Sequence, residues 1–442
     1  MVGIIGAGIS GLSLAYHLEK AKVPYILFEA SDNPGGYIRT INQNGCLLEC
    51  GPNSILADRE IVDFIKEIGL SGSLREAEVT SKNRYIFKDG SIKKLPAGPI
   101  SLLLSDFFSA NGKWSIIKEY FNNSKGKTDE TVREFFQRRF GDEIVDYAVD
   151  PFVSGIYAGD PDLLLISETF PILQEYEQKY GSVIKGFIKN PPERKFSYNF
   201  DSGMQQLTDT IAKKLTCFSP GTQVERIRKE NNKYVLEVLI NNEPEFHSFD
   251  FLVLCLPAYK AAPLLENIAE DFAKTIEKID YPPVVIVHSL FNKGQFPNPP
   301  DGFGVLNPAK ESRFSAGTIW NYSSFPYKCS KDYLLLTSII GGSQSRSKFH
   351  LPDKEIIIRL NKEFKEDYNI KGEPIFQKIT RIDKAIPQYD KNIVRAKDLA
   401  KNYEKDNIFV CSSWISGVSV ADCFKKGKLL AQKISSLRNT VL

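Results

Sequence analysis

The first 29 residues combine a short apolar strand, a glycine-rich turn, a helix and a second strand. Gly6, Gly8 and Gly11 follow the first strand with the spacing G-x-G-x-x-G. In this arrangement the first glycine permits a tight turn, the second lets a pyrophosphate approach the backbone, and the third lets the helix pack closely on the sheet. The N-terminus of the helix offers free N–H groups and a partial positive charge to phosphates. The segment therefore predicts a dinucleotide-binding unit.

An acidic residue at the end of the second strand refines this prediction. Glu29 lies 18 residues after Gly11, close to the offset of about 20 expected for a carboxylate that accepts a ribose hydroxyl. A carboxylate at this position also disfavours a 2′-phosphate. The residues predicted to bind this end of the cofactor are Gly6, Gly8, Ile9, Ser10, Gly11, Glu29 and Ala30.

A second glycine-rich segment favours FAD over NAD. The sequence SDNPGGYIRT supplies Gly35, Gly36 and Arg39, a second backbone loop with a cation that suits phosphate recognition. Soon afterwards, the turn after Glu49 is rich in backbone donors that suit the isoalloxazine ring. Its residues Gly51, Pro52, Asn53 and Ser54, and Val224 in a later predicted strand, complete this part of the predicted FAD site.

Composition limits the class of protein. A chain of 442 residues exceeds one usual hydrophobic core, so about two or three domains are expected. Hydrophobic residues make up 42% and charged residues 25%, which is typical of globular proteins. Because 57 basic residues face 54 acidic ones, the charge balance argues against a nucleic-acid partner. No apolar run reaches the ~18 residues that a membrane-spanning helix needs.

The cysteine pattern predicts reduced thiols. The seven cysteines form no C-x-x-C pair, and an odd number fits a reducing cytoplasm better than a disulfide framework. A zinc site is not supported, and we predict no bound metal. Since the first strand starts at Met1, a signal or transit peptide is not expected. These observations predict a cytoplasmic protein.

The order of patterns along the chain predicts a mixed α/β (α+β) fold with three parts. A Rossmann-like FAD-binding domain takes residues 1–75, 200–275 and 396–442, because strand patterns recur near Phe251 and Asn407 and a helix runs toward Ile434. A mixed-sheet substrate domain takes residues 76–95, 188–199 and 276–395. Residues 96–187 form a helical lobe that either packs as an ordinary lobe, which we favour, or docks on a membrane surface.

The chain resembles the flavin-dependent porphyrinogen oxidases of haem biosynthesis, which are relatives of amine oxidases. The resemblance covers nearly the whole chain. The motifs GAGISGL and GGYIRT occur in many flavoproteins, whereas DPFVSGIYAGDP and GFGVLNP are far more specific. Further matches are ECGPNS, KNRYIFKDG, IIGGS, AIPQY and SGVSVADC. The C-terminal flavin motif departs from the family, because Ser412, Ser416 and Ala421 stand where glycines are typical.

The resemblance implies a reaction and a cofactor. A porphyrinogen oxidase removes six electrons from a tetrapyrrole in three rounds of hydride transfer to FAD, and dioxygen reoxidises the flavin to give peroxide. The resemblance also places Gly417, Val418, Ser419 and Val420 at the flavin. Protoporphyrinogen IX is the favoured substrate, and coproporphyrinogen III is the alternative. A homodimer and peripheral contact with the inner face of the membrane are further expectations.

The resemblance also implies substrate-binding residues. Arg84 corresponds to an arginine that pairs with a substrate propionate, and a guanidinium binds a carboxylate through two parallel hydrogen bonds. Trp320 would stack on a pyrrole ring, Leu306 and Val284 would form an opposing apolar wall, and the Gly155 carbonyl would approach the pyrrole nitrogens. None of the four histidines lies in a catalytic motif, so no general acid or base is assigned.

Three other classes of protein remain as alternatives. An amine oxidase or a carotenoid-type desaturase would share the N-terminal cradle but gives no reason for Arg84 beside the GIYAGDP and GFGVLNP segments. A flavin-binding scaffold without turnover would account for the serines in the C-terminal motif, since fold alone does not establish activity. An NAD-dependent dehydrogenase would not account for the GGYIRT segment or for a C-terminal strand and helix that return to the first domain.

Overall fold

The computed structural model describes residues 1–240 and 243–441. The strands are β1 (Val2–Ile5), β2 (Tyr25–Phe28), β3 (Thr40–Gln43), β4 (Cys46–Glu49), β5 (Ile55–Ala57), β6 (Leu74–Glu76), β7 (Tyr85–Lys88), β8 (Ser91–Lys94), β9 (Phe196–Phe200), β10 (Phe218–Ser219), β11 (Gln223–Glu230), β12 (Lys233–Ile240), β13 (Glu243–Phe249), β14 (Phe251–Leu254), β15 (Val284–Asn292), β16 (Gly304–Leu306), β17 (Gly317–Trp320), β18 (Tyr333–Gly341), β19 (Phe376–Ile382) and β20 (Ile408–Val410).

The helices include a continuous group between residues 99 and 189. They are α1 (Ile9–Lys20), α2 (Arg59–Glu67), α3 (Pro99–Leu104), α4 (Ala110–Glu119), α5 (Val132–Phe140), α6 (Asp142–Ile144), α7 (Asp150–Tyr157), α8 (Ile166–Thr169), α9 (Pro171–Tyr180), α10 (Val183–Lys189), α11 (Gln205–Ala212), α12 (Ala258–Leu265), α13 (Glu270–Ile276), α14 (Asn321–Ser324), α15 (Asp353–Tyr368), α16 (Lys391–Tyr403), α17 (Ser413–Ser416) and α18 (Val420–Val441). In residues 1–240 and 243–441, no helix has the length and hydropathy needed to cross a membrane.

A five-stranded parallel sheet carries the N-terminal glycine turn. Its strand order is β10-β2-β1-β14-β20. All residues of β1 and β14 are buried, as expected for central strands covered on both faces. The sheet therefore joins the start of the chain to residues 251–254 and 408–410, so the late strand returns to the first one.

A seven-stranded mixed sheet forms the second large layer. Its order is β19-β15-β18-β17-β16-β7-β8, and β16 and β7 run parallel while the other neighbours are antiparallel. Every residue of β15 except Asn292 is buried. This mixed sheet confirms the predicted fold class, whereas the domain boundaries stay predictions.

One short strand pairs outside the two large sheets. β9 pairs with β5 and β6 in a separate antiparallel sheet, and the assignment of residues 188–199 to the substrate domain stays a prediction. Both partners lie in or next to the first 75 residues. A strand of five residues has too little pattern to specify its partner, because pairing depends on which sheet edge lies nearby in the folded chain.

The prediction that all cysteines are reduced is wrong for one pair. Cys46 and Cys329 form a disulfide across 283 residues of sequence, with their Cα atoms 4.4 Å apart. Cys50, Cys217, Cys255, Cys411 and Cys423 are free. The sequence has no local signal for this bond, since only the packing of β4 against the segment after β17 brings the two thiols together.

Candidate cofactor and substrate site

The three glycines of the N-terminal turn have distinct steric roles. A Cβ on Gly11 would lie 2.0 Å from the carbonyl oxygen of Gly6, so only glycine lets α1 begin this close to β1. Gly6 has a φ of +101°, which favours glycine. By contrast, a Cβ on Gly8 would meet no atom within 4 Å. The space above Gly8, at the N-terminus of α1, is therefore open to a phosphate.

The second glycine loop lies directly against the first. The Gly35 N–H donates to the carbonyl of Ala7 over 2.8 Å, and Gly8 and Gly35 form an isolated parallel bridge. A Cβ on Gly36 would lie 3.5 Å from the Cα of Gly8. The two segments thus form one backbone surface, which is consistent with a dinucleotide extended across both loops.

Glu29 is held beside this surface. Its Oε2 accepts a 2.7 Å hydrogen bond from the Ala7 N–H, and its Oε1 accepts from the Ser31 N–H and Oγ–H. The neighbouring Ala30 is exposed. The Glu29 carbonyl also accepts from the Thr222 N–H. This contact brings the start of β11, with the buried Val224, beside Glu29.

The turn after β4 is anchored from several sides. A Cβ on Gly51 would lie 1.8 Å from the carbonyl oxygen of Tyr37, so this approach also requires glycine. The Cys50 N–H donates to the carbonyl of Arg39, whose side chain is exposed. Pro52, Asn53 and Ser54 are half-buried. The Asn53 Nδ2 is buried and has no hydrogen-bond partner within the described residues.

The C-terminal motif reaches the start of α1. A Cβ on Gly427 of α18 would lie 2.7 Å from the carbonyl oxygen of Ser10, so the two helices meet in close backbone contact. Gly417 has a φ of +109°, and its N–H donates to the Tyr389 hydroxyl over 2.9 Å. Val418 and Ser419 are half-buried and Val420 is buried. The motif that departs from the family pattern therefore still lies at the first domain.

The predicted substrate residues Gly155 and Leu306 are in contact. A Cβ on Gly155 would lie 2.8 Å from Leu306 Cδ2, so α7 packs tightly on β16. Leu306 pairs with Ile86 of β7, and Arg84 stands two residues before Ile86. The Arg84 guanidinium lies 4.3 Å from the Phe303 ring centre and donates to the Ser81 carbonyl.

Two further predicted substrate residues are buried. Val284 packs in a small cluster with Ala158 and Ala385. Trp320 has no exposed surface; its ring lies 5.1 Å from that of Tyr85, and its Nε1–H donates to the Tyr368 hydroxyl. The stacking of Trp320 on a pyrrole stays a prediction. In the structure, GTIW forms β17 and the indole is buried in the core.

These residues fit a flavin dinucleotide. The open space above Gly8 and the adjoining glycine loops suit a pyrophosphate, Glu29 suits a ribose, and the unpaired Asn53 Nδ2 suits a ring acceptor. When bound, FAD supplies the capacity to accept a hydride. The chain's part is then to orient the reactants and exclude water. The fold and the site define a Rossmann-type, FAD-dependent oxidoreductase.

Comparison with known proteins agrees with this class. The chain belongs to the flavin containing amine oxidoreductase family, whose sequence pattern matches residues 9–435. It is 30% identical to the mitochondrial protoporphyrinogen oxidase of Nicotiana tabacum, over 100% of this chain and 95% of that protein. It is 28% identical to the coproporphyrinogen III oxidase of Bacillus subtilis (strain 168), over 97% of this chain and 96% of that protein.

Solved structures share the fold. A crystal structure of a protein from Exiguobacterium sp. 255-15 has a TM-score of 0.82 at 22% identity and covers 98% of both chains. A putrescine oxidase bound to putrescine has a TM-score of 0.71 at 14% identity, with 98% of each chain covered. The architecture is therefore that of flavin oxidases with differing substrates.

Sequence reasoning missed a group of buried polar residues behind the Glu49–Ser54 turn. Glu49, Asn199, His288 and Lys328 are each at most 2% exposed. Glu49 accepts from Thr40 Oγ1, Asn199 Nδ2 and the Met204 N–H. Lys328 reaches this group from a position 275 residues beyond Asn53. No spacing rule relates such distant positions, although a lysine inside an apolar and aromatic segment was a usable signal.

His288 in this group should make the protein sensitive to acid. Burial and the nearby Lys328 charge lower its pKa from 6.5 to about 3, and neither ring nitrogen has a hydrogen-bond partner of good geometry within the described residues. Because the unfolded chain binds the proton more readily, stability falls as pH drops from about 6.5 toward 3. Between pH 7 and 4.5 this group should cost about 2–3 kcal/mol.

Replacing His288 by leucine should remove that part of the acid sensitivity. Urea unfolding of wild type and His288→Leu at both pH values measures the difference. His350→Gln, at an exposed position, is the matched control. An equal pH-dependent loss of stability in wild type and His288→Leu would contradict the expectation.

Proposed function

We propose that this protein oxidises a porphyrinogen to a porphyrin in haem biosynthesis, with FAD as cofactor and dioxygen as electron acceptor. The observation that supports this proposal most is that three segments distant in sequence pack together. The helix of DPFVSGIYAGDP packs through Gly155 on Leu306 of GFGVLNP, and Leu306 pairs with Ile86 of KNRYIFKDG, two residues after Arg84. The proteins named protoporphyrinogen oxidase and coproporphyrinogen III oxidase align with the chain across these segments.

Protoporphyrinogen IX is the favoured substrate. It carries two propionates, fewer carboxylates than coproporphyrinogen III, and Arg84 is the one cation that the sequence predicts for this site. Arg84 forms no ion pair with a carboxylate of the described residues; its partners are the Ser81 carbonyl and the Phe303 ring. Burial lowers its pKa, and a substrate carboxylate would supply the missing counter-charge. Coproporphyrinogen III remains the second candidate, because relatives with that name match almost the whole chain.

Turnover of the two porphyrinogens tests the function. Purified protein with FAD should generate red porphyrin fluorescence in air well above spontaneous oxidation, with three peroxides formed per porphyrin. Parallel kinetics identify the preferred substrate from the ratio of the two kcat/KM values. Rates equal to the spontaneous oxidation of both porphyrinogens would refute the proposal. Size-exclusion chromatography with light scattering tests the predicted homodimer.

Arg84→Ala should raise KM for the preferred porphyrinogen more than it lowers kcat. The interaction holds a peripheral carboxylate in the ground state and the transition state alike. Hydrogen bonds to a charged group contribute about 1.5–3 kcal/mol, so a rise in KM of roughly 10-fold or more is expected. Arg59→Ala is the matched control, since Arg59 is exposed and has only a 3.7 Å pair with Asp63. An unchanged KM would exclude Arg84 from substrate binding.

We further propose that α4 and α10 contact the inner face of the membrane. Trp114 of α4 and Phe121, which lies two residues beyond the end of α4, are 55% and 72% exposed. Lys118 lies over the Trp114 ring, and Lys185 of α10 lies over Tyr120. Exposed aromatic residues among lysines suit an anionic lipid surface, which supports a cytoplasmic protein that binds the membrane peripherally.

Vesicle binding tests this surface. Trp114→Glu combined with Phe121→Glu should weaken binding to vesicles containing phosphatidylglycerol by roughly 10-fold or more, because two apolar side chains are lost and two negative charges are gained. Phe246→Glu, at a position 58% exposed on β13, is the matched control. If sedimentation with vesicles were equal for the two variants, the lobe would be an ordinary packing unit.

A further inference from the structure

Lys328 is a buried cation close to the turn assigned to the flavin ring. It ends a short helical turn, Pro326–Lys328, and its side chain is 1% exposed. Its Nζ lies 3.5 Å from Glu49 Oε1 and donates to the Asn53 Oδ1 over 3.0 Å and to the Asn53 carbonyl over 3.1 Å. Burying an ammonium group is costly unless its partners compensate for lost water.

The contact with Lys328 determines how the Asn53 amide is oriented. An ammonium has only donors, so it pairs with the oxygen of a side-chain amide and not with the nitrogen. With Oδ1 held by Lys328, the Nδ2 points away from it, and this buried Nδ2 has no partner among the described residues. An unsatisfied buried donor is unfavourable, and an acceptor on a bound ligand would satisfy it.

The neighbouring groups cannot take over the role of Lys328. Glu49 already accepts from Thr40, Asn199 and the backbone of Met204, which hold its carboxylate in place. His288 is neutral, since its pKa is lowered to about 3. The disulfide between Cys46 and Cys329 joins the residue after Lys328 to the strand that ends at Glu49. Asn199 Nδ2 donates to the Asn53 carbonyl over 2.7 Å, but the donor to Asn53 Oδ1 is Lys328.

We propose that Lys328 is a positioning residue for the flavin, because its ammonium holds Asn53 Oδ1 so that the Asn53 Nδ2 donates to an acceptor on the isoalloxazine ring. The inference rests on the assignment of FAD to the Glu49–Ser54 turn. A donor at a ring acceptor stabilises the more negative, reduced ring more than the oxidised ring. Lys328 therefore raises flavin affinity and reduction potential through Asn53.

A double-mutant cycle separates this role from a structural one. Lys328→Met should weaken FAD binding by about 10-fold, shift the visible flavin absorbance and make the reduction potential more negative. Asn53→Ala should do the same. The double variant should resemble either single variant, because residues that act through one contact are not additive. Fluorescence titration with FAD and redox titration against reference dyes measure these quantities without turnover.

Two further variants serve as controls, one for folding and one for the loss of any buried lysine. Lys328→Met leaves Glu49 buried beside no cation, so the cycle is repeated in a Glu49→Gln background if the single variant does not fold. Lys88→Met removes another buried lysine, which is paired with Glu143 over 2.8 Å and contacts Phe107 and Tyr147, and should leave flavin absorbance and potential unchanged. Additive effects of Lys328→Met and Asn53→Ala, or an unchanged potential in Lys328→Met, would overturn the proposal.

The outcome is distinguishable from failure of the proposed function. If wild type binds FAD and the cycle is non-additive, Lys328 keeps its role even when no porphyrinogen is oxidised. If wild type oxidises a porphyrinogen and the effects are additive, only the inference about Lys328 is overturned. A wild-type protein that does not bind FAD would overturn both.

Discussion

Replacing Gly8 by valine is expected to give a folded protein that no longer retains FAD. A side chain at Gly8 meets no protein atom within 4 Å, and its backbone has a φ of −66° that valine can adopt. The added methyl groups would instead fill the space above the N-terminus of α1, where the pyrophosphate must approach the backbone. Binding should weaken by about 100-fold or more, which corresponds to roughly 3 kcal/mol.

The ratio of flavin absorbance to protein absorbance in the purified protein, and fluorescence titration with FAD, measure this loss of binding. Circular dichroism and thermal unfolding without added FAD should be similar for Gly8→Val and wild type. Gly294→Val is the matched control, because a Cβ at Gly294 also meets no atom within 4 Å but lies outside the glycine loops. A yellow Gly8→Val protein with full FAD content would refute the placement of the pyrophosphate.

Replacing Arg139 by methionine should destabilise the protein by about 3–5 kcal/mol, since it leaves the buried Glu119 carboxylate without its cation, while Glu177 keeps only Arg138. The Arg139 side chain is 0% exposed and lies 2.6 Å from both Glu119 and Glu177. It also donates to the backbone carbonyls of Asn122, Ser124 and Gly181. The residue therefore connects α4, α5, α9 and the loops between them.

Denaturant unfolding and hydrogen exchange measure this effect. Exchange should accelerate first in residues 119–183, because the lost contacts all lie in the helical lobe. Arg359→Met, in an exposed pair with Glu355, should change stability by only about 0–1 kcal/mol. Similar losses for the two variants would show that the buried network contributes no more than a surface pair.

The glycine turn illustrates what could be predicted from sequence. Gly6, Gly8 and Gly11 act through local geometry, so their spacing is sufficient to predict the turn and the start of α1. The buried strands β1 and β14 were likewise recognisable from continuous apolar residues. Trp320 shows the limit, because its sequence context does not specify which layer covers each face of β17, and its indole lies in the core.

Long-range partners were the other limit. The pairing of β9 with β5 and β6, the Cys46–Cys329 bond and the contact of Lys328 with Asn53 each join residues far apart in the chain. No short stretch of sequence predicts such contacts, since their energy depends on the packing of complete layers.

By itself, the sequence determined the dinucleotide cradle and the mixed fold class, because these depend on short motifs and on the periodicity of apolar residues, and the expected reaction came from the resemblance of its motifs to those of porphyrinogen oxidases. Only the tertiary structure decided which polar groups meet behind the Glu49–Ser54 turn and which aromatic rings are buried. The physical reason is that a buried charge such as that of Lys328 requires partners from several segments at once, and these are brought together only when the chain folds.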